Sequence, residues 1–220
     1  MLTLSEENHL KAIYKISQNS SDKTVFTKAI AEELNTNPAS VTDMVKKLAD
    51  KKLLTHEKYY GVVLTKEGQK SAIDLLRKHR LWEVFLHDKL GFGWDEVHEV
   101  AEQLEHIQSL LLIQRLDAFL GNPKFDPHGD PIPNASGTFT YRNQVNLSLI
   151  QEIGKEVIML GVKNQSSEFL KYLESIEMKP GAVLKIISVG EYDQSLKIRI
   201  NQNDEVVITY QNAQEILVKP

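Results

Sequence analysis

The hydrophobic pattern of this 220-residue chain changes period past residue 120, and that change limits what it can fold into. Up to about Leu120 the apolar residues recur mostly at helical spacing. From about Asn146 they fall into short runs: Val157 to Val162, Val183 to Val189, Leu196 to Ile200, Val206 to Tyr210 and Ile216 to Val218. Lys-Pro-Gly and polar turns separate these runs, and Ser166 to Ser175 reads as a short helix among them. Between the two regions, Pro123 to Gly137 is rich in proline, glycine and asparagine and reads as a connector. We therefore expect a mainly α protein with a small C-terminal β-barrel.

Composition removes several function classes. No stretch approaches the roughly 18 to 20 consecutive apolar residues of a membrane span. Met1 to Glu7 lacks the basic and then apolar pattern of a secretory signal, so a soluble, cytoplasmic protein is expected. There are no cysteines, which excludes any thiolate site and leads us to expect nitrogen and oxygen ligands for any metal. A net charge of -4 argues against non-specific coating of nucleic acid, yet Asp43 to Lys70 carries seven lysines against four acids. That stretch is a local basic face.

The basic face coincides with a recognisable pair of helices. Leu10, Ile13, Tyr14 and Ile16 mark a first helix after a polar start at Ser5. Thr27 to Leu34 reads as a second, with Thr27 as its cap, and Asn35-Thr36-Asn37-Pro38 as the turn. Pro38 suits the first position of a third helix, which runs to about Lys51 and buries Val41, Met44 or Val45, and Leu48. Small and polar residues at the start of this helix match a helix-turn-helix whose recognition helix points its N-terminal residues at base edges. Leu53 to Thr65, with a glycine and a polar, aromatic centre, reads as a β-hairpin in the position of a wing. Thr36, Asn37, Pro38, Ser40, Thr42 and Asp43 are the candidate base-edge contacts. Lys46, Lys47 and Lys58 are the candidate phosphate contacts, with Tyr59 and Tyr60 at the hairpin tip and Thr27 counted in the same footprint.

A second constellation carries charge rather than DNA-reading chemistry. From Glu67 to Leu120 the pattern is nearly all helical, with Gly91 to Trp94 as the main break. On a helix beginning near Asp95, His98, Glu102, Glu105 and His106 fall within roughly a 100° arc, opposite Val97, Val100, Leu104, Ile107 and Leu111. His79 and Glu83 share a face one helix earlier at i, i+4 spacing. Any one of these residues alone reads more readily as a solvated helix face. Three histidines and three carboxylates together suit a divalent cation, which neutralises their mutual repulsion. The apolar set that includes Leu81, Trp82, Phe85, Leu110 and Leu111 exceeds what these helices need internally, and a homodimer interface is its simplest use.

Taken together, these residues resemble the diphtheria toxin repressor and manganese transport regulator family of metal-dependent repressors. The resemblance rests on His9 to Tyr14, Asn37 to Thr42, Lys78 to Glu83, Glu102 to His106, and Asn122 to Pro133 with its Gly129-Asp130-Pro131-Ile132-Pro133 ending. It implies a winged helix-turn-helix over 1–73, a helical metal-binding and dimerisation domain over 74–141, a linker at 142–145 and an SH3-like, FeoA-type domain over 146–220. It also implies that Glu102, Glu105 and His106 join a helix-one ligand, Asn8 or its neighbour Glu7, in a primary site. His79, Glu83 and His98 would form an ancillary site, to which Gln165 and Glu168 of the last domain contribute. Lys11 stands where manganese-type members use a second acid. Glu102 stands where iron-type members use cysteine, and an oxygen ligand there favours manganese or iron(II). Zinc would bind in vitro by affinity order alone.

The function expected is thus a repressor, not an enzyme. It would bind palindromic operator DNA as a dimer when loaded with Mn2+ or Fe2+, with one or two dimers per operator, and would control metal-homeostasis genes. The alternatives are a winged-helix regulator answering to a small organic ligand and a metal-dependent hydrolase. The sequence shows neither a nucleophile nor a base kept for catalysis to support the second.

Overall fold

The first helix starts one residue before the expected polar start, and a local hydrogen-bond pair is the reason. In the computed structural model, which describes residues 2–18, 21–57, 61–203 and 205–220, the Thr3 hydroxyl accepts from the Glu6 amide while the Glu6 carboxylate accepts from the Thr3 amide. This reciprocal cap launches α1 (Leu4–Ser17). The second helix, α2 (Thr27–Glu33), starts with Thr27 inside it instead of capping it. Val25 exchanges two backbone hydrogen bonds with Val62, at 2.9 and 2.8 Å, so the chain is extended through Phe26. Helix α3 (Pro38–Asp50) follows the expectation: Pro38 opens it and the Asn37 side chain accepts from the Ser40 amide at 2.9 Å.

The hairpin of β1 (Leu54–Glu57) and β2 (Gly61–Leu64) pairs antiparallel, Leu54 opposite Leu64. Its tip, and with it the candidates Lys58 and Tyr59, lies outside the described residues. Leu10, Ile13, Ile30, Val41, Val45, Leu48, Leu54 and Val62 form one core, which makes Val45 and not Met44 the buried member of that pair.

Helix α4 (Lys66–Leu90) is followed by α5 (Val97–Leu104) and α6 (Leu110–Phe119). The expected continuous helix through His106 is therefore two helices with a break at 105–109. The chain divides into two compact units: 1–79 with 102–113 and 133–139, and 80–101 with 114–132 and 140–220. Among the described residues no helix is long and apolar enough to cross a membrane.

Within the second unit the short runs form an antiparallel sheet. Its strands are β3 (Val145–Asn146), β4 (Glu156–Val162), β5 (Val183–Val189), β6 (Leu196–Ile200), β7 (Glu205–Ile208) and β8 (Ile216–Lys219), in the order β3-β8-β4-β5-β6-β7. Helix α7 (Ser167–Ser175) connects β4 to β5, and α8 (Tyr210–Glu215) connects β7 to β8. The sheet is open, since no pairing joins β3 to β7 among the described residues, in place of the expected closed barrel. Thr209, read as strand, accepts from the Asn212 amide and caps α8, so the chain leaves the sheet after Ile208. Met159, Val162, Leu170, Leu173, Leu184, Ile198, Ile216 and Trp94 share the core beneath this sheet.

Candidate metal centre

In the first unit, Glu7, Asn8 and Lys11 lie on one face of α1, at the i, i+3 and i, i+4 spacings that align side chains along a helix. Glu102 stands in the last turn of α5, while Glu105 and His106 follow in the turn that ends it. That turn frees the two residues from helical spacing and turns them toward α1. The Lys11 ammonium donates to Glu102 Oε1 at 2.6 Å and to both oxygens of Glu105 at 2.7 and 2.8 Å. Glu7 Oε2 lies 2.6 Å from His106 Nδ1, and Glu7 Oε1 accepts from Gln108 at 2.9 Å. His79 of α4 places Nδ1 2.7 Å from Glu105 Oε2.

Glu105 is fully buried here, and Lys11 and His79 nearly so. Ligand atoms of His79, Glu102 and Glu105 lie within 4.8 Å of one another. Asn8 Oδ1 is buried with no hydrogen-bond partner, an oxygen that costs free energy unless something positive meets it. Nearby Lys78 has its pKa lowered, first by burial, against the raising effects of Glu7, Glu105 and Asp74. Two carboxylates and two imidazoles brought together, with an unpaired amide oxygen on the facing helix, are a donor set that fits a divalent cation such as manganese or iron(II).

The second unit holds another group. Glu83 of α4 and the loop residues Asp126 and His128 are all buried, with ligand atoms within 4.8 Å of one another. His128 Nε2 lies 2.6 Å from the Trp94 carbonyl, which can only accept, so Nε2 is the donor there. The buried Nδ1 of the same ring has no hydrogen-bond partner and sits 3.8 Å from Glu83 Oε1. Burial pushes the Asp126 carboxyl well above the usual carboxylate range, and the charges of Glu83 and Asp130 add to the shift while Arg80 opposes it. His98 Nδ1 lies 3.3 Å from Glu83 Oε1. A buried imidazole nitrogen with no hydrogen-bond partner, close to two buried carboxyl groups, is a second donor set suited to a cation.

Within each unit, residues read from sequence find partners. Glu102, Glu105 and His106 meet α1 and His79, whereas His98 meets Glu83. Gln165 donates to Asp130 at 3.2 Å, and Asp130 in turn pairs with Arg80 at 3.0 Å. Glu168 is exposed in the first turn of α7 and makes no hydrogen bond or ion pair among the described residues. Sequence reasoning missed Asp126 and His128 because it treated Pro123 to Gly137 as a connector. The alternation Asp126-Pro127-His128-Gly129-Asp130 was the available signal.

On the DNA-reading side, Thr36, Asn37, Pro38, Ser40, Asp43, Lys46 and Lys47 are exposed along the turn and α3, and Thr27 and Thr42 are half-buried. The Thr42 hydroxyl donates to the Pro38 carbonyl at 2.8 Å, and Lys46 pairs with Asp43 at 3.2 Å. Helix α6 exposes Leu110, Leu111, Leu112 and Phe119.

Comparison with known proteins bears on all three regions. Residues 1–62 match the "Iron dependent repressor, N-terminal DNA binding domain" family, 65–134 the "Iron dependent repressor, metal binding and dimerisation domain" family and 145–220 the FeoA domain family. The iron-dependent repressor IdeR of Mycobacterium bovis is 35% identical over 127 residues, 58% of this chain and 54% of that protein, so the chain spans about half the length of such relatives. The regulator MntR of Oceanobacillus iheyensis is 37% identical over 116 residues, 53% of this chain and 77% of that one. A solved manganese-dependent transcriptional repressor in complex with manganese is 33% identical with a TM-score of 0.81, over 97% of this chain and 98% of its own. The structure of the manganese regulator SloR gives 35% and 0.71 over 97% of each chain. With matches running from the reading helices through the ligand cluster to the terminal sheet, this chain belongs to the iron-dependent repressor family, in which iron- and manganese-responsive transcriptional regulators are relatives.

Proposed function

We propose that this protein is a cytoplasmic, metal-dependent transcriptional repressor that binds palindromic operator DNA as a homodimer, one or two dimers per operator, when loaded with Mn2+ or Fe2+. The observation that carries this reading is the convergence of Glu7 and Lys11, on the first helix of the DNA-binding fold, with Glu102, Glu105 and His106 at the end of α5, while the buried Asn8 Oδ1 on the same helix face has no hydrogen-bond partner. A bound divalent ion would supply positive charge beyond the single charge that Lys11 brings to the two carboxylates.

Each residue has a definite part in this scheme. Asn8 presents a neutral oxygen, Glu102 and Glu105 present charge, and His106 is held in orientation by Glu7 2.6 Å away. Glu83, Asp126 and His128, with His98 beside them, form the ancillary set, and Gln165 steadies its rim through Asp130. His79 precedes Glu83 by one turn on α4 and orients Glu105. All these ligands are nitrogen or oxygen, which favours manganese or iron(II) over thiophilic ions while admitting zinc in vitro. The exposed leucines of α6 supply an apolar surface for a second copy. In a two-fold dimer the recognition helices meet major grooves about 34 Å apart, Thr36 to Asp43 toward the bases and Lys46 and Lys47 toward phosphates.

We read the domains as 1–73, 74–141 and 146–220, the last an SH3-like module, and assign no catalytic step to any of them. A coupling of roughly 1 to 3 kcal/mol between ion and DNA is enough for a switch. Fluorescence anisotropy of an operator fragment, titrated in manganese, iron(II), zinc and chelator, tests the proposal. Tighter binding with manganese or iron(II) than with chelator is the expected result, and equal affinity in all four would refute it.

A further inference from the structure

Lys11 is a buried charge at the centre of the cluster. Its ammonium has three protons and three acceptors, Glu102 Oε1 and the two oxygens of Glu105, all within 2.8 Å. An ammonium so deeply buried is kept charged only by such partners. It also occupies the volume between the two carboxylates, where a cation would otherwise lie.

We infer that Lys11 is a resident cation: it docks α1 against the end of α5 without metal and restricts this centre to a single divalent ion. The inference rests on the metal reading above. Formal charge supports the count. Glu7, Glu102 and Glu105 carry -3, Lys11 returns +1, and Lys78 is offset by Asp74 beside it, leaving -2 for one divalent ion to neutralise. A second ion would overshoot this balance and would face the ammonium across a carboxylate that both need. Asn8, three residues before Lys11 on α1, carries a buried oxygen with no hydrogen-bond partner, and we place the single ion on that side. The contacts of Lys11 with Glu102 and Glu105 and of Glu7 with His106 already join α1 to the end of α5, so the ion consolidates a contact that side chains have begun.

The full chain, stripped with chelator, supplies the test, with manganese as the probe. Manganese bound per chain after equilibrium dialysis and thermal unfolding with and without manganese are measured for wild type, Lys11→Glu, Lys11→Met and Glu105→Gln. Lys11→Glu should bind one more ion per chain than wild type, and Glu105→Gln one fewer. Lys11→Met should bind the wild-type number, melt several degrees lower in chelator, and recover most of that loss with manganese. Should Lys11→Glu fail to fold, the Lys11→Met and Glu105→Gln arms remain decisive. An unchanged count in folded Lys11→Glu, loss of two ions in Glu105→Gln, or an unchanged melting point of Lys11→Met in chelator each overturns the inference alone. No manganese binding by wild type overturns the metal reading together with the single-ion count.

Discussion

Glu6 closes the capping box of α1 and also accepts the Lys51 ammonium at 2.6 and 2.8 Å, tying the start of α1 to the end of α3. The hydrogen bond from Lys51 is the first cause that holds its carboxyl below the ordinary value near 4.5, and the cap hydrogen bond from Thr3 is the second. A folded pKa below the unfolded one stabilises the protein above that ordinary value, and the benefit is lost as pH falls through the lowered pKa. Lys51 is partly exposed, so solvent screening trims the gain. Glu6→Gln should cost about 1 kcal/mol at pH 7 and progressively less below pH 4.5, as read by urea unfolding at several pH values. Asn8 makes the opposite kind of prediction, since its Oδ1 has no partner to lose. Asn8→Ala should weaken manganese binding by about tenfold or more, while Asn8→Asp should tighten it, in competition with a fluorescent chelator. The type of residue at positions 7, 8 and 11 could be read from the sequence. That a lysine sits between the carboxylates could not, because its partners Glu102 and Glu105 are 91 and 94 residues away.

Helix α3 keeps its reading residues exposed because its cap is internal: the oxygen of Asn37 is spent on the Ser40 amide. Lys47 is exposed beyond it, with no role in the core. Lys47→Ala should lower affinity uniformly across DNA sequences and flatten the salt slope by about one unit, measured by anisotropy between low and high salt. In the second unit, strand β4 approaches the loop 126–130 closely: Val162 donates to the His128 carbonyl at 2.9 Å, and a Cβ on Gly161 would lie 2.2 Å from that oxygen. Gly161→Ala should displace the loop, cost about 1 to 3 kcal/mol and alter the environment of Trp94, which stacks on His128, in near-UV circular dichroism. The periodicity marked α3 and most strands of the sheet with small errors at their ends. It misplaced the cap of α2 and overran α5, because Val25–Val62 pairing and the contacts of Glu105 and His106 are tertiary, and tertiary contacts override local propensity.

For the whole molecule, helix α6 carries apolar side chains that a single chain leaves uncovered, with Leu110 at 78% and Leu111 at 57% exposure. Leu111→Glu should shift sedimentation from dimer to monomer and abolish binding to a palindromic operator, while retaining manganese binding at the Glu102–His106 cluster. Retention of the dimer would remove α6 from the interface.

The sequence by itself determined most of the helices and strands, placed a reading helix after a proline turn, and excluded thiolate donors for any metal through the lack of cysteine. These follow from spacing and residue chemistry, which act within a few residues. Only the tertiary structure decided the grouping of the ligands: His79 with Glu105, His98 with Glu83, and Asp126 and His128 drawn from an apparent connector. It also left the terminal sheet open, with no pairing between β3 and β7 among the described residues. Contacts of this kind depend on long chain closures and on which buried charge finds which partner, and no local period encodes either.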